Sequence, residues 1–254
     1  MAASFEWRSE FRSPRSNKFA LVVTNQPVSD SPVFGLLWKN ACVRVAADGG
    51  ANRLYDLLQS NHSSLHEAVA GLDAIVGDLD SLHVEVKQYF TTLANPAKVI
   101  HYPDQNLYDL DKAVNWVRSN YAHDIDIVIL GDLGGRVDHG LRQVHYLYLF
   151  QPGPAYTNGR VFLVTSQGLL ILLKPGHHKI WVQKGDGNAK KRTVGLIPIG
   201  KPSLITTNGL EQDVKNLVIS MEEKIIRGPV LQGTSTLDIE TSDTILLTMD
   251  ISAF

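Results

Sequence analysis

Sulfur is scarce in this chain: its one cysteine, Cys42, excludes an internal disulfide and suits a reducing compartment. Cys42 sits in the apolar stretch ACVRVAA, where the thiol is expected to be buried and inert. No apolar run reaches the roughly 20 residues that span a bilayer, so no membrane contact is expected. Basic residues are not in excess, with 24 Lys and Arg against 26 Asp and Glu, and this balance argues against a nucleic-acid footprint. G-x-G-x-x-G and G-x-x-x-x-G-K-[ST] are both absent, which excludes the common dinucleotide and P-loop designs. So is the G-x-S-x-G nucleophile elbow. The nine histidines show no zinc spacing, and His177-His178 falls at an expected turn, where exposure is the default.

What remains is an ordinary globular composition, 44% apolar over 254 residues, enough for one large domain or two of common size. Residues 1–18, MAASFEWRSEFRSPRSNK, are rich in Ser and Arg but lack a secretory apolar core. Glu6 and Glu10 are out of place in a mitochondrial transit segment, so a flexible tail and a cytoplasmic protein are expected. From 19 to 167, apolar runs such as FALVVTN, CVRVAAD, DAIVGD, AKVIHYP, DIVILGD and RVFLVTS alternate with amphipathic segments. That alternation predicts a parallel sheet covered by helices. The helix from Asp109 is the clearest, with Leu110, Ala113, Val114 and Val117 on one stripe. From 168 to 254 the helical period stops, and short β-rich runs are divided by Gly, Pro and Asn turns. An antiparallel β-sandwich is expected there, with residues 183–193, including Lys190, Lys191 and Arg192, as an exposed loop. The fold class is therefore α/β followed by all-β.

The acids collect where strands are expected to end. Asp48 follows VRVAA, Asp78 and Asp80 follow AIVG, Asp104 and Asp109 follow VIHYP, and Asp132 follows IVILG. Ligands of open parallel sheets bind beyond those carboxyl ends. Asp104 and Asp132 read individually as helix caps. Asp78 and Asp80 do not, because residues i and i+2 of an extended chain share a face and their charges repel. Oxygen-only ligation of this kind suits Mg²⁺ shared with phosphate oxygens. The same edge holds two glycine turns, Gly49-Gly50 and Gly134-Gly135, whose backbone N–H groups can meet an anion, and Arg136, a fixed cation. The pattern points to a Mg-nucleotide site without a Walker motif.

Five segments, ADGGANRLYD, GDLDSL, PDQNLYDLDKAV, LGGRVDH and GLIPIG, resemble the ordered motifs of the thiamin pyrophosphokinase family, from about residue 19 to 251. The resemblance implies transfer of diphosphate from ATP to the hydroxyl of thiamin, releasing AMP. It implies a homodimer, with thiamin bound between an α/β nucleotide-binding catalytic domain and the partner's β domain, which also serves dimerisation. Asp48, Asp78, Asp80 and Asp109 would hold Mg²⁺ and phosphates. Asp48, Gly49, Gly50, Asn52, Asp104, Lys112, Gly134, Gly135 and Arg136 would surround the nucleotide. Asp78, Asp80, Asp109, Arg136 and Asp138 would serve catalysis, with Asp78 or Asp109 as the base, and Gln105 would lie near the acceptor.

The chain also departs from the family pattern. Tyr108 stands where the family's fourth motif has Thr, Gln212 where a Trp is usual, and Ile226-Arg227-Gly228-Pro229 where a Ser-x-Ser-Asn stretch meets thiamin. These departures leave two alternatives beside thiamin transfer: a different small-alcohol acceptor, or an ATP-binding homologue without catalysis.

Overall fold

The computed structural model describes residues 3–8, 19–28, 31–59, 71–182 and 192–250. Lys190, Lys191 and the rest of the expected loop up to residue 191 lie outside them, as do residues 9–18 of the expected tail. The first strand is β1 (Ser4–Trp7), followed by β2 (Phe19–Val23), α1 (Pro32–Asn40), β3 (Val43–Ala47) and α2 (Gly50–Gln59). Next come β4 (Ala74–Gly77), α3 (Val84–Thr92), β5 (Lys98–His101), α4 (Asp109–Asn120), β6 (Asp126–Leu130), α5 (Val137–Leu149) and β7 (Val161–Val164). Among the described residues only strands follow: β8 (Gly168–Leu173), β9 (Gly176–Trp181), β10 (Thr193–Ile197), β11 (Ser203–Asn208), β12 (Leu217–Ile219), β13 (Ile226–Pro229), β14 (Thr236–Thr241) and β15 (Ile245–Asp250). The order is α/β, then all-β, as the composition of the two halves predicts.

The chain divides into two compact units. One comprises residues 11–151 and 156–166. Its strands run parallel in the order β7-β6-β2-β3-β4-β5. The five residues of β2 are all buried, as an apolar run covered on both faces should be. Leu110, Ala113, Val114 and Val117 of α4 are buried as their spacing predicts. Strands β3 to β5 build out on one side of β2, and β6 and β7 on the other. The order therefore reverses beside β2, and the β2, β3 and β4 carboxyl ends form the edge where such sheets bind ligands.

The other unit comprises residues 1–10, 152–155 and 167–254. It contains a five-stranded sheet, β1-β9-β14-β11-β12, and the antiparallel strands β13, β10, β15 and β8 in that order. β11 and β14 alternate buried and more exposed positions, the period of a strand with one face in the core. Lys174, just past β8, is 2% exposed, and its ammonium donates to the carbonyls of Pro152, Gly153 and Ala155 at 2.6–3.2 Å. Those bonds bind segment 152–155 to this unit and offset the burial, which pulls the Lys174 pKa down.

Four sequence expectations change here. Arg192, expected in an exposed loop, is buried directly before β10, which takes Thr193 into the sheet. Ser4–Trp7, read as tail, is a strand parallel to β9. Its anchor is Trp7, fully buried, whose Nε1–H donates to His178 Nδ1 at 2.9 Å, while Phe5 stacks on the same imidazole. His178 is accordingly buried rather than exposed, and its Nε2–H donates to the Lys174 carbonyl at 2.7 Å. Cys42 is exposed, because it precedes β3 rather than lying within it; its Sγ faces the Phe19 carbonyl at 3.2 Å. Replacing Trp7 by Phe removes the donor to His178 and part of the ring volume. We expect a loss of about 2 kcal/mol in urea-unfolding free energy, with turnover unchanged per folded molecule.

Candidate active site

The loop after β4 carries both aspartates of GDLDS, and its backbone departs from the extended geometry inferred from sequence. Leu79 has φ 67°, in the left-handed region that a leucine rarely occupies. Asp78 and Asp80 are therefore brought together by a tight turn, with Asp80 N–H donating to Asp78 Oδ1 at 3.4 Å, and not by the pleat of a strand. Asp48, the first residue past β3, is also left-handed at φ 42°. It is 1% exposed, and one carboxylate oxygen accepts from Ser81 N–H at 3.1 Å. Carboxylate oxygens of Asp48, Asp78 and Asp80 lie within 4.8 Å of one another.

Glycine makes this convergence possible. A Cβ on Gly77 would stand 2.6 Å from Asp48 Cβ and 3.0 Å from Asp109 Oδ1. A Cβ on Gly50 would overlap the Val23 carbonyl, so glycine here lets α2 start directly against the end of β2. Asn52 locks the same loop from α2: its side chain donates to the Ser81 carbonyl at 2.7 Å and accepts from His83 N–H at 3.1 Å. Gly77 and Ser81 are site-building residues that the motif reading passed over. Their signal is position: Gly77 immediately precedes the first acid and Ser81 follows the second.

Asp109 opens α4, and its Oδ1 accepts from Asp78 N–H at 3.3 Å and from Lys112 Nζ at 3.2 Å. Lys112 reaches Asp78 Oδ2 at 2.8 Å as well and is fully buried. Burial works against its charge, but bonds to Asp78 and Asp109 prevail and hold the ammonium above its usual pKa. The Lys112 bond in turn holds the Asp78 carboxyl below the usual range. Asp48 behaves oppositely. Burial pushes it up to about 6 against the Ser81 bond, and the charges of Asp109, Asp78 and Asp80 add to the rise. Gln105 Nε2 approaches Asp78 Oδ2 at 3.5 Å.

The remaining predicted residues stand apart. Asp104 and Asp132 cap no helix. Asp104 Oδ1 accepts from Asn106 N–H at 2.8 Å, and Asp132 accepts from Gly134 N–H and Ser166 Oγ–H. Gly134 and Gly135 are exposed, with Gly135 at φ 81°. Arg136 and Asp138 form an exposed two-bond pair at 2.9–3.1 Å, which lowers the pKa of the Asp138 carboxyl. Among the described residues no hydrogen bond or ion pair joins that pair to the aspartate cluster.

A cavity of about 610 Å³ opens between the 106–108 turn and α5, lined in part by Tyr108, Asp111, Asp138, Arg142, His145 and Tyr146. Tyr108 is 55% exposed, and the Arg142 guanidinium lies 3.9 Å from its ring centre. In the other unit, Gln212 and Arg227 are exposed, and Ile226–Pro229 is strand β13, hydrogen-bonded to β10.

Comparison with known proteins agrees with this arrangement. Residues 34–157 match the family described as thiamin pyrophosphokinase, catalytic domain, and residues 177–243 match thiamin pyrophosphokinase, vitamin B1 binding domain. Thiamine pyrophosphokinase 3 of Oryza sativa subsp. japonica is 35% identical over 240 residues, covering 90% of this chain and 85% of that one. Thiamine pyrophosphokinase 1 of Arabidopsis thaliana is 37% identical over 213 residues, covering 78% and 74%. The crystal structure of yeast thiamin pyrophosphokinase superposes with a TM-score of 0.82 at 25% identity, covering 98% of this chain and 91% of that one.

Proposed function

The chain belongs to the thiamin pyrophosphokinase family, and from that premise we propose that it transfers the diphosphate of ATP to the hydroxyl of thiamin. The observation that carries this reading is the Asp48–Asp78–Asp80 cluster at the ligand-binding edge of the sheet. Three carboxylates held this close repel unless a cation joins them. Asp48 Oδ1 is buried and finds no hydrogen-bond partner, so the cluster contains an oxygen left over for such a cation. The donor set is all oxygen, which fits Mg²⁺. Asp48, Asp78 and Asp80 would hold the ion, and when bound it supplies neutralisation of phosphate charge.

In the reaction the hydroxyl oxygen of thiamin bonds to the β-phosphorus of ATP. The bond from that phosphorus to the oxygen bridging the α-phosphate breaks, and AMP leaves with the electron pair. The proton of the hydroxyl passes to a carboxylate. Asp78, held in its ionised form by Lys112, is a weak base. Asp109, with its side chain 34% exposed, is better placed for the proton. Gln105 and the cavity wall around Tyr108 orient the acceptor, while the Gly134–Asp138 turn receives the nucleotide. Arg136 is then drawn from Asp138 toward phosphate, a bidentate partner of higher charge.

A homodimer completes the site in this reading. Val137, Leu141 and Leu149 form a stripe on α5 that is 47–76% exposed, a surface suited to a second copy. No helix among the described residues is long and apolar enough to cross a membrane. The lone cysteine supports a reducing compartment, and the cytoplasm is the one proposed.

The test is an acceptor screen that reads AMP release from ATP and Mg²⁺ with thiamin and with other small primary alcohols. We expect thiamin to be preferred by about a hundredfold or more in kcat/KM. Equal or better turnover of another alcohol would transfer the proposal to that acceptor. ATP binding with no turnover of any acceptor would leave a binding protein.

A further inference from the structure

Lys112 is the one cationic side chain among the described residues that makes an ion pair with the aspartate cluster, and it is placed unlike a phosphate-binding lysine. Its ammonium is fully buried, 2.8 Å from Asp78 Oδ2 and 3.2 Å from Asp109 Oδ1. It lies one helical turn after Asp109, so α4 itself fixes the spacing between the ammonium and the acids. To touch a nucleotide it would have to leave both carboxylates. We propose that Lys112 is a positioning residue: an internal counter-charge that makes tight binding of the divalent cation depend on the nucleotide.

Asp48, Asp78, Asp80 and Asp109 carry up to four negative charges in one cluster. Such a group, left alone, would capture a divalent ion whether or not ATP were present. A fixed ammonium on Asp78 and Asp109 removes one charge and ties up one oxygen of Asp78. The cation is then held weakly until triphosphate oxygens supply the missing negative charge and ligands. Lys112 also keeps Asp78 turned so that Oδ2 faces the protein interior and Oδ1 faces Asp80.

This inference rests on the assignment of Asp48, Asp78 and Asp80 as the cation site, so the experiment tests the two separately. Mn²⁺ binding is measured by loss of the free-ion EPR signal at pH 7.5, with and without a non-hydrolysable ATP analogue. The full chain is compared with Lys112→Gln, Lys112→Arg and Asp80→Asn, and circular dichroism and thermal melting confirm the fold. In the native protein the analogue should tighten Mn²⁺ binding at least about tenfold. Lys112→Gln should bind Mn²⁺ about tenfold more tightly than the native protein without the analogue, lose most of the coupling, and turn over more slowly. Lys112→Arg, which keeps the charge, should retain the native coupling. A merely structural lysine would predict weaker Mn²⁺ binding in both variants. The proposal is overturned by native Mn²⁺ affinity that ignores the analogue, a result that needs no variant. It is equally overturned by Lys112→Gln affinity equal to or weaker than native. Undiminished Mn²⁺ binding in Asp80→Asn would instead remove the cation-site assignment on which the inference rests.

Discussion

Asp80→Asn is expected to lower kcat/KM for diphosphate transfer about a thousandfold while leaving the protein folded. Asp80 is exposed, and its side chain accepts from the hydroxyl of Ser81 at 3.0 Å. It carries no share of the core, and substitution at such a position changes stability by about 0.5 kcal/mol or less. The amide is isosteric, so the Leu79 turn and the Ser81 hydroxyl contact survive, but a neutral oxygen replaces a charged ligand. The loss should fall on kcat and on the Mg²⁺ concentration required, with thermal midpoint unchanged. Turnover within about threefold of native would show that Asp80 lies outside the reacting centre.

Asp48→Asn is expected to separate stability from function more sharply. The carboxyl of Asp48 titrates near 6 because it is buried, and its acidic neighbours reinforce the effect. A carboxyl raised from 3.8 to about 6 binds its proton more tightly folded than unfolded. Stability therefore falls as pH rises from about 4 to 6, and by neutral pH the ionised group opposes folding by up to about 3 kcal/mol when no cation is bound. Asparagine lacks that charge, and its amide N–H can donate to neighbouring acids. In EDTA at pH 7.5 the variant should be about 2 kcal/mol more stable than native to urea. At pH 4.5 the difference should shrink toward zero. Turnover should still fall about a thousandfold. Equal or lower stability of Asp48→Asn at pH 7.5 would mean that the buried carboxylate is already compensated, and the argument for a cation there would lose its electrostatic basis.

These opposed effects follow from residues that the sequence marks clearly and from a geometry that it does not. The acids, the glycine turns and the alternation of strands with helices are local signals, since a run of five buried residues or an i, i+3, i+4 stripe is visible in any window. The left-handed Leu79 is not, because nothing in GDLDSL distinguishes a turn from a continuing strand. The pairing of Trp7 with His178 spans 171 residues, and β1 exists only because β9 offers it an edge. Ile226–Pro229, where the family pattern has a polar stretch, is an edge strand, with Pro229 at its last residue, where a missing N–H is tolerated. Lys112 was legible as part of a motif, but its burial between two acids needed the three-dimensional position of Asp78, 34 residues away.

The acceptor half is where sequence and structure speak least alike. Gln212 and Arg227 are exposed in the β unit, whereas Tyr108, the other departure from the family pattern, lines a cavity with Asp111 and Arg142.

The most direct measurement is the product stoichiometry of the native protein given ATP, thiamin and Mg²⁺, with AMP, ADP and thiamin phosphates separated by chromatography. Diphosphate transfer predicts AMP and thiamin diphosphate in equal amounts, no ADP, and loss of both products in Asp80→Asn. Formation of ADP with thiamin monophosphate, or AMP without any thiamin diphosphate, would contradict it.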